Sequence, residues 1–116
     1  MKYMMLIAGS EEAWAGLSHD EEHRLMGEIG QWWNDQMAAG RITEGYQLQP
    51  SATATTVRTA GAGGPSVTDG PYVDAKEVIG GYGILDVANL DEAIAVASAW
   101  PGPDVLEIRP VVERES

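Results

Sequence analysis

Residues 81–101 read GYGILDVANLDEAIAVASAWP, a strand followed at once by a helix. In 81–87, Tyr82 and Ile84 fall on one side of the strand and Leu85 and Val87 on the other, since side chains alternate along an extended chain. Glycines at the start of this strand predict a close approach by another backbone or a ligand. Asn89 with Glu92 three residues on is a helix-capping pair, and Leu90, Ala93, Ile94 and Ala97 then form a short apolar stripe. Pro101-Gly102-Pro103 stops that helix. Residues 105–112 (VLEIRPVV) predict the last strand, with Pro110 placing part of it at an edge or a bulge.

The first half has the same plan. Residues 2–8 (KYMMLIA) form an apolar run of strand length, expected to be buried on both faces. Ser18 with Glu21 is a capping box, and Asp20, Glu21 and Glu22 supply the negative charge that a helix N-terminus favours. Met26, Ile29, Trp33 and Met37 recur at steps of three and four, and Gly40 follows as a stop, predicting a helix over about 19–39. Residues 41–49 (RITEGYQLQ) predict a second strand closed by Pro50. Residues 53–59 and 66–68 are expected to pair as a short hairpin around AGAGG at 60–64. From Gly70 to Ile79 an ordered loop is expected. The order β-α-β-(hairpin)-β-α-β predicts a single domain over 1–116, a ferredoxin-like α+β sandwich with two helices on one face of an antiparallel sheet. Two helices cannot cover both faces of that sheet, so dimerisation through the sheets, as in a dimeric α/β-barrel, is expected.

Composition excludes several classes. The chain of 116 residues has no cysteine, which removes disulfide frameworks, thiolate zinc sites and cysteine nucleophiles. Eighteen acids against seven Lys plus Arg give a net charge of −11. No basic stripe is present to displace counterions from a phosphate backbone, so nucleic acid and anionic membrane are not expected partners. The longest apolar run is too short to span a bilayer, and Lys2 before it does not make a signal peptide. The expected location is cytoplasmic.

Four constellations bear on chemistry. His19 to His23 reads HDEEH, a spacing used by some zinc peptidases, but it falls on a solvated helix start, and no bound metal or cofactor is expected. His23, one turn further in, is retained as a candidate acid or base. Trp32 and Trp33 are adjacent and cannot share a helix face; Trp33 is assigned to the core and Trp32 to the shoulder, at a pocket rim or a dimer surface. The glycines of 61–64 lack the strand-to-helix setting of a phosphate loop.

The densest stretch is VTDGPYVDAKEVIGGY, residues 67–82. Asp69-Gly70-Pro71 has the composition of a turn stabilised by the Asp69 side chain, and Gly80-Gly81 admit close backbone approach. Polar, ordered loops anchored by a turn often carry sites. Asp69 is therefore the candidate catalytic carboxylate. Lys76 and Arg109 are candidates for holding an anionic substrate, Glu77 for lining the same pocket, and Tyr72 and Trp32 for touching the apolar part of the substrate. Glu107 and Arg109 share a side of the last strand and can pair.

These same residues, VTDGPYVDAKEVIGGYGILDV, followed by NLDEAIAVASAWP and EIRPV, resemble the DGPF-type branch of the YCII-related family. The opening KYMMLIAG and the LQPSATATTVR segment agree, so the resemblance covers nearly the whole chain. Tyr72 stands where that branch has Phe, and Asp74 where Glu is usual. The resemblance implies a ferredoxin-like fold, a dimer through the sheets, and a cavity between sheet and helices. Some relatives resemble lyases or dehydrohalogenases acting on ring compounds, with a His–Asp pair. Asp69 and His23 are the residues of that type here, although His23 matches no fixed motif position. The resemblance also implies association with extracytoplasmic-type sigma factors. Two readings follow: a homodimer with a small-molecule pocket, working as a cofactor-free lyase- or isomerase-like enzyme, and a non-catalytic regulatory partner of a sigma factor.

Overall fold

In the computed structural model, residues 1–72 and 77–114 are described. Strand β1 (Lys2–Gly9) lies inside a four-stranded sheet. It pairs antiparallel with β5 (Val78–Asp86) on one side and with β6 (Val105–Pro110) on the other. Strand β2 (Ile42–Gln47) closes the far edge by pairing antiparallel with β5. The resulting order β2-β5-β1-β6 is consistent with a ferredoxin-like α+β fold. As Pro110 predicts, β6 is an edge strand, where a missing N–H costs no ladder bond. Strands β3 (Thr55–Arg58) and β4 (Ser66–Asp69) pair antiparallel with each other in a separate two-stranded sheet.

The helices are α1 (Glu11–Ala15), α2 (His19–Ala38) and α3 (Leu90–Ser98). The Ser18 hydroxyl accepts from the Glu21 N–H at 3.2 Å while the Glu21 carboxylate accepts from the Ser18 N–H at 3.3 Å, so the predicted capping box is present. Those bonds hold the Glu21 carboxyl below its ordinary pKa. Asn89 caps α3 with its side-chain carbonyl accepting from the Glu92 N–H at 3.0 Å, while the Glu92 carboxylate accepts from the Ala88 N–H at 3.4 Å. Helix α1 is an addition to the predicted pair, capped by Ser10 accepting from the Ala13 N–H. Among the described residues no helix is long and apolar enough to cross a membrane.

Sheet register sorts the side chains into two faces. One carries the rungs Ile42–Leu85–Tyr3 and Gly45–Gly83–Met5–Ile108. Tyr3, Met5, Ile7, Ile42 and Leu85 are buried there with Trp32 of α2 and Ala93 and Val96 of α3. Fully burying an Ile, Leu, Val or Met side chain contributes about 1.5–3 kcal/mol relative to exposure, and the Ala93 methyl less. The other face carries the rungs Glu44–Ile84–Met4–Arg109 and Tyr46–Tyr82–Leu6–Glu107. Met4, Leu6, Tyr82 and Ile84 are only half-buried within the single chain, so no element of this chain covers the second side of β1. The helices take one face of the sheet and leave the second open to solvent.

Two helix faces are corrected. In α2 the buried residues are Ile29, Trp32 and Gln36, whereas Met26 and Met37 are exposed. The stripe is turned by about one residue, or ~100°. Trp32 enters the core, where it is 7% exposed, so it stands at neither a rim nor an outer surface. Its neighbour Trp33 leans across the sheet. The reason is in the strands beneath: a Cβ on Gly45 would lie 2.5 Å from the Trp33 ring, and one on Gly83 would lie 3.0 Å from it. Paired glycines open a slot for the second indole, so both tryptophans pack. Gln36 is buried because its side-chain carbonyl accepts from Arg41 Nε at 2.7 Å. In α3, Ala93 and Ala97 of the predicted stripe pack on the core together with Val96, whereas Leu90 and Ile94 are about half exposed.

Candidate functional site

Asp69 ends β4, opposite Thr55 of β3, and is exposed. Gly70 follows with φ +99°, a conformation that favours glycine. Its N–H donates to the Ala54 carbonyl at 2.7 Å, and its own carbonyl accepts from the Thr56 hydroxyl at 2.7 Å. Among the described residues, Ala54 and Thr56 hold this turn, where an Asp69 side-chain bond was expected. Tyr72 is 70% exposed, and the Arg58 guanidinium sits 5.0 Å from its ring centroid, a cation–π contact. Lys76 lies outside the described residues.

Pro71 and residues 77–79 face residues 48–51, 53 and 54 across a hollow of about 490 Å³. That is the volume range of small-molecule sites. Leu48, Pro50, Ala54, Pro71, Val78 and Ile79 make most of the wall apolar, and Glu77 is the charged residue on it. The wall is tied from several sides. The Leu48 N–H donates to the Gly80 carbonyl at 2.8 Å, and the Thr53 hydroxyl to the Pro50 carbonyl at 2.7 Å. The Ser51 N–H donates to the Glu11 carboxylate at 2.8 Å, which lowers the Glu11 pKa and joins α1 to the wall. Gly81 is close to the neighbouring strand, since a Cβ there would lie 3.0 Å from the Tyr46 carbonyl oxygen. Gly80 has open space beside it.

The remaining candidates lie elsewhere. Arg109 donates to Glu107 at 2.7 Å on the open sheet face, in register with Met4, as the strand periodicity predicts. His23 is exposed on the second turn of α2, its ring 6.5 Å from that of His19. Trp32 is buried, and its Nε1 finds no acceptor among the described residues. The hollow therefore gathers Pro71 and Glu77 and does not take in His23, Arg109 or Trp32. Among the described residues no group of three or more His, Asp or Glu is placed to hold a metal ion.

Sequence reasoning missed two polar ties. One is Glu11 to Ser51, and the other is Asp104, whose carboxylate oxygens accept from Trp14 Nε1 at 2.9 Å and Trp100 Nε1 at 3.0 Å. The acceptors are separated from their partners by 40 and 90 residues for Ser51–Glu11 and Trp14–Asp104. The available signal was local: Ser10 before two acids is a helix start, and a tryptophan inside so short a helix needs a partner for its N–H.

The order of the sheet and its capped helices define a small α+β sandwich with one open sheet face. The chain belongs to the YCII-related family: the YCII-related domain matches residues 1–115. It is also 31% identical over 115 residues to an uncharacterized protein of Rhizobium meliloti (strain 1021), across 96% of this chain and 92% of that protein.

Proposed function

We propose that this protein is a homodimer, packed through its open sheet faces, that binds a small and largely apolar molecule in the hollow bounded by residues 48–54, Pro71 and Glu77. The single observation that supports the binding role is the junction of Pro71 and Glu77 with the 48–54 segment around one concave, mostly apolar wall. Apolar lining with few polar groups is the usual make-up of a ligand site. The DGPY segment at 69–72 supports placing the chain in the DGPF-type branch of its family. For the dimer, the support is the row of half-buried Met4, Leu6, Tyr82 and Ile84 on a face that the helices leave open. A lyase- or isomerase-like step uses a general acid or base, a role a carboxylate can fill, and Glu77 is the described carboxylate on this wall. Asp69, the carboxylate expected from the sequence, stands at the end of β4 as the alternative.

Thermal shift across small aromatic acids, phenols and amines tests this reading, because a binder stabilises the folded state by mass action. A hit that Glu77→Gln weakens while Asp69→Asn does not would support the hollow as the site and Glu77 as its polar contact. A hit that survives Glu77→Gln but is lost in folded Asp69→Asn would return the role to Asp69. If turnover accompanies binding, loss of the proton-transferring carboxylate should lower it by ~10²–10⁴-fold. Binding unaffected by either change would exclude the loop from the site.

A further inference from the structure

A second hollow, of about 400 Å³, opens between α3 and β6. Ile94 and Ala97 of α3 and Leu106 and Ile108 of β6 form its apolar sides, and Asp104 with Trp100 closes one end. The Asp104 carboxylate is held in place before any ligand arrives. Its Oδ1 accepts from the Trp14 indole at 2.9 Å and its Oδ2 from the Trp100 indole at 3.0 Å. Two bare glycines make room for it. A Cβ on Gly9 would collide with the Asp104 carboxylate, and one on Gly102 would lie 2.8 Å from Oδ2 and 2.7 Å from Trp100 Nε1.

What the carboxylate lacks is a counter-charge. Among the described residues no Lys, Arg or His pairs with it. A carboxylate offers about four lone-pair directions, and the two indoles use two of them. The donors that line the hollow are already committed: Trp100 Nε1 to Asp104, and the Ser98 hydroxyl to the Ile94 carbonyl at 2.7 Å. The hollow is thus an open depression with a fixed, half-buried anion of spare acceptor capacity beside a few apolar side chains, and among the described residues that line it no side-chain donor is uncommitted. An anion would meet repulsion there, and a neutral ligand would leave the carboxylate without a charge partner. A positive donor on an apolar body satisfies both parts.

We propose that the hollow between α3 and β6 is a binding site for a small organic ammonium ion, with Asp104 receiving the ammonium and Leu106, Ile108 and Ile94 packing on its hydrocarbon part. The site is separate from the wall at residues 48–54 and does not depend on the function proposed for it.

Calorimetric titration with phenethylammonium, against 2-phenylethanol and 3-phenylpropionate, provides the test. Phenethylammonium should bind saturably at one site per chain, about tenfold or more tighter than the alcohol, a difference of ~1.4 kcal/mol. The propionate should not bind. Asp104→Asn should remove the preference for the ammonium over the alcohol. Because that change also disturbs the indole contacts, two further variants separate binding from folding. Trp14→Phe removes one indole donor, keeps the carboxylate, and should retain ammonium binding. Ile94→Lys puts a tethered ammonium at the half-exposed edge of the hollow and should abolish it. Equal affinity for ammonium and alcohol would overturn the proposal, as would undiminished binding in Ile94→Lys. Loss of the ammonium in Glu77→Gln would move it to the other hollow and equally refute this one.

Discussion

Replacing Gly45 by alanine tests the account of why both adjacent tryptophans pack. The added Cβ would sit 2.5 and 2.6 Å from Cζ3 and Cη2 of Trp33, and 2.8 Å from the Tyr82 carbonyl oxygen of the paired strand. Trp33 must give way by about 1 Å to reach ordinary carbon contact at ~3.5–4.0 Å. It has little freedom, because its ring stands edge-on to Trp32 at 5.3 Å and to Trp100 at 6.1 Å. Overpacking of this kind costs about 1–3 kcal/mol. Relief of the glycine penalty in a strand returns about 0.5–1 kcal/mol, so a net loss of about 1–2 kcal/mol is expected. Urea unfolding at fixed protein concentration should show a midpoint lowered by roughly 0.5–1 M, for a slope of ~2 kcal/mol/M. The decisive comparison is a double-mutant cycle with Trp33→Leu. Removing the indole should return most of the cost, while the Tyr82 carbonyl contact keeps a remainder. The milder Gly83→Ala, with its Cβ 3.0 Å from Trp33, should cost less than Gly45→Ala. A Gly45→Ala protein as stable as the parent, or an unchanged cost in the Trp33→Leu background, would refute the slot.

Three other outcomes follow from the same structure. Leu6→Arg places a charge amid Met4, Tyr82 and Ile84; light scattering should change from about twice 12.4 kDa to one chain mass with circular dichroism retained, and a parent that is already monomeric would refute the sheet-face dimer. Asp104→Ala strips the acceptor from Trp14 and Trp100, and with charged hydrogen bonds at ~1.5–3 kcal/mol each, discounted for half exposure, about 2–3 kcal/mol should be lost in urea unfolding. Acidification should release α1 from residue 51: the Glu11 pKa is lowered by its bond from Ser51, so its contribution is present above the ordinary carboxylate value of 4.5 and is lost as pH falls through the lower folded value. The Ser51 amide proton shift against pH reads this directly, and a Ser51 shift that does not move through that window would rule the tie out.

Local chemistry was enough for the strands, the two longer helices and their order, though not for α1. Capping pairs at Ser18–Glu21 and Asn89–Glu92 involve residues three apart, so with the apolar periodicity that follows them they mark the helix starts. Alternation in β1 and β5 likewise fixes which residues share a face, and Pro110 announces an edge. Once strands and helices alternate in this way, few antiparallel arrangements remain. The rotation of α2 was beyond such reasoning. Ile29 belongs to either stripe, and Trp32 and Trp33 are equally apolar, so the choice was made by Gly45 and Gly83, which face each other only after β2 and β5 pair.

The candidate site shows the same division. Gly70 and Pro71 mark a turn in the sequence, and a turn is what forms, but the groups that hold it come from Ala54 and Thr56 of the partner segment. Asp69 had the right composition for that role, and among the described residues its side chain makes no bond to the turn. Residue type and spacing determine capping, periodicity and charge because those interactions span one to four residues. That Asp104 meets the Trp14 indole and Glu11 the Ser51 amide depends on contacts across 90 and 40 residues, and which wall Glu77 joins and which tryptophan is buried depend likewise on segments that only the folded sheet brings together.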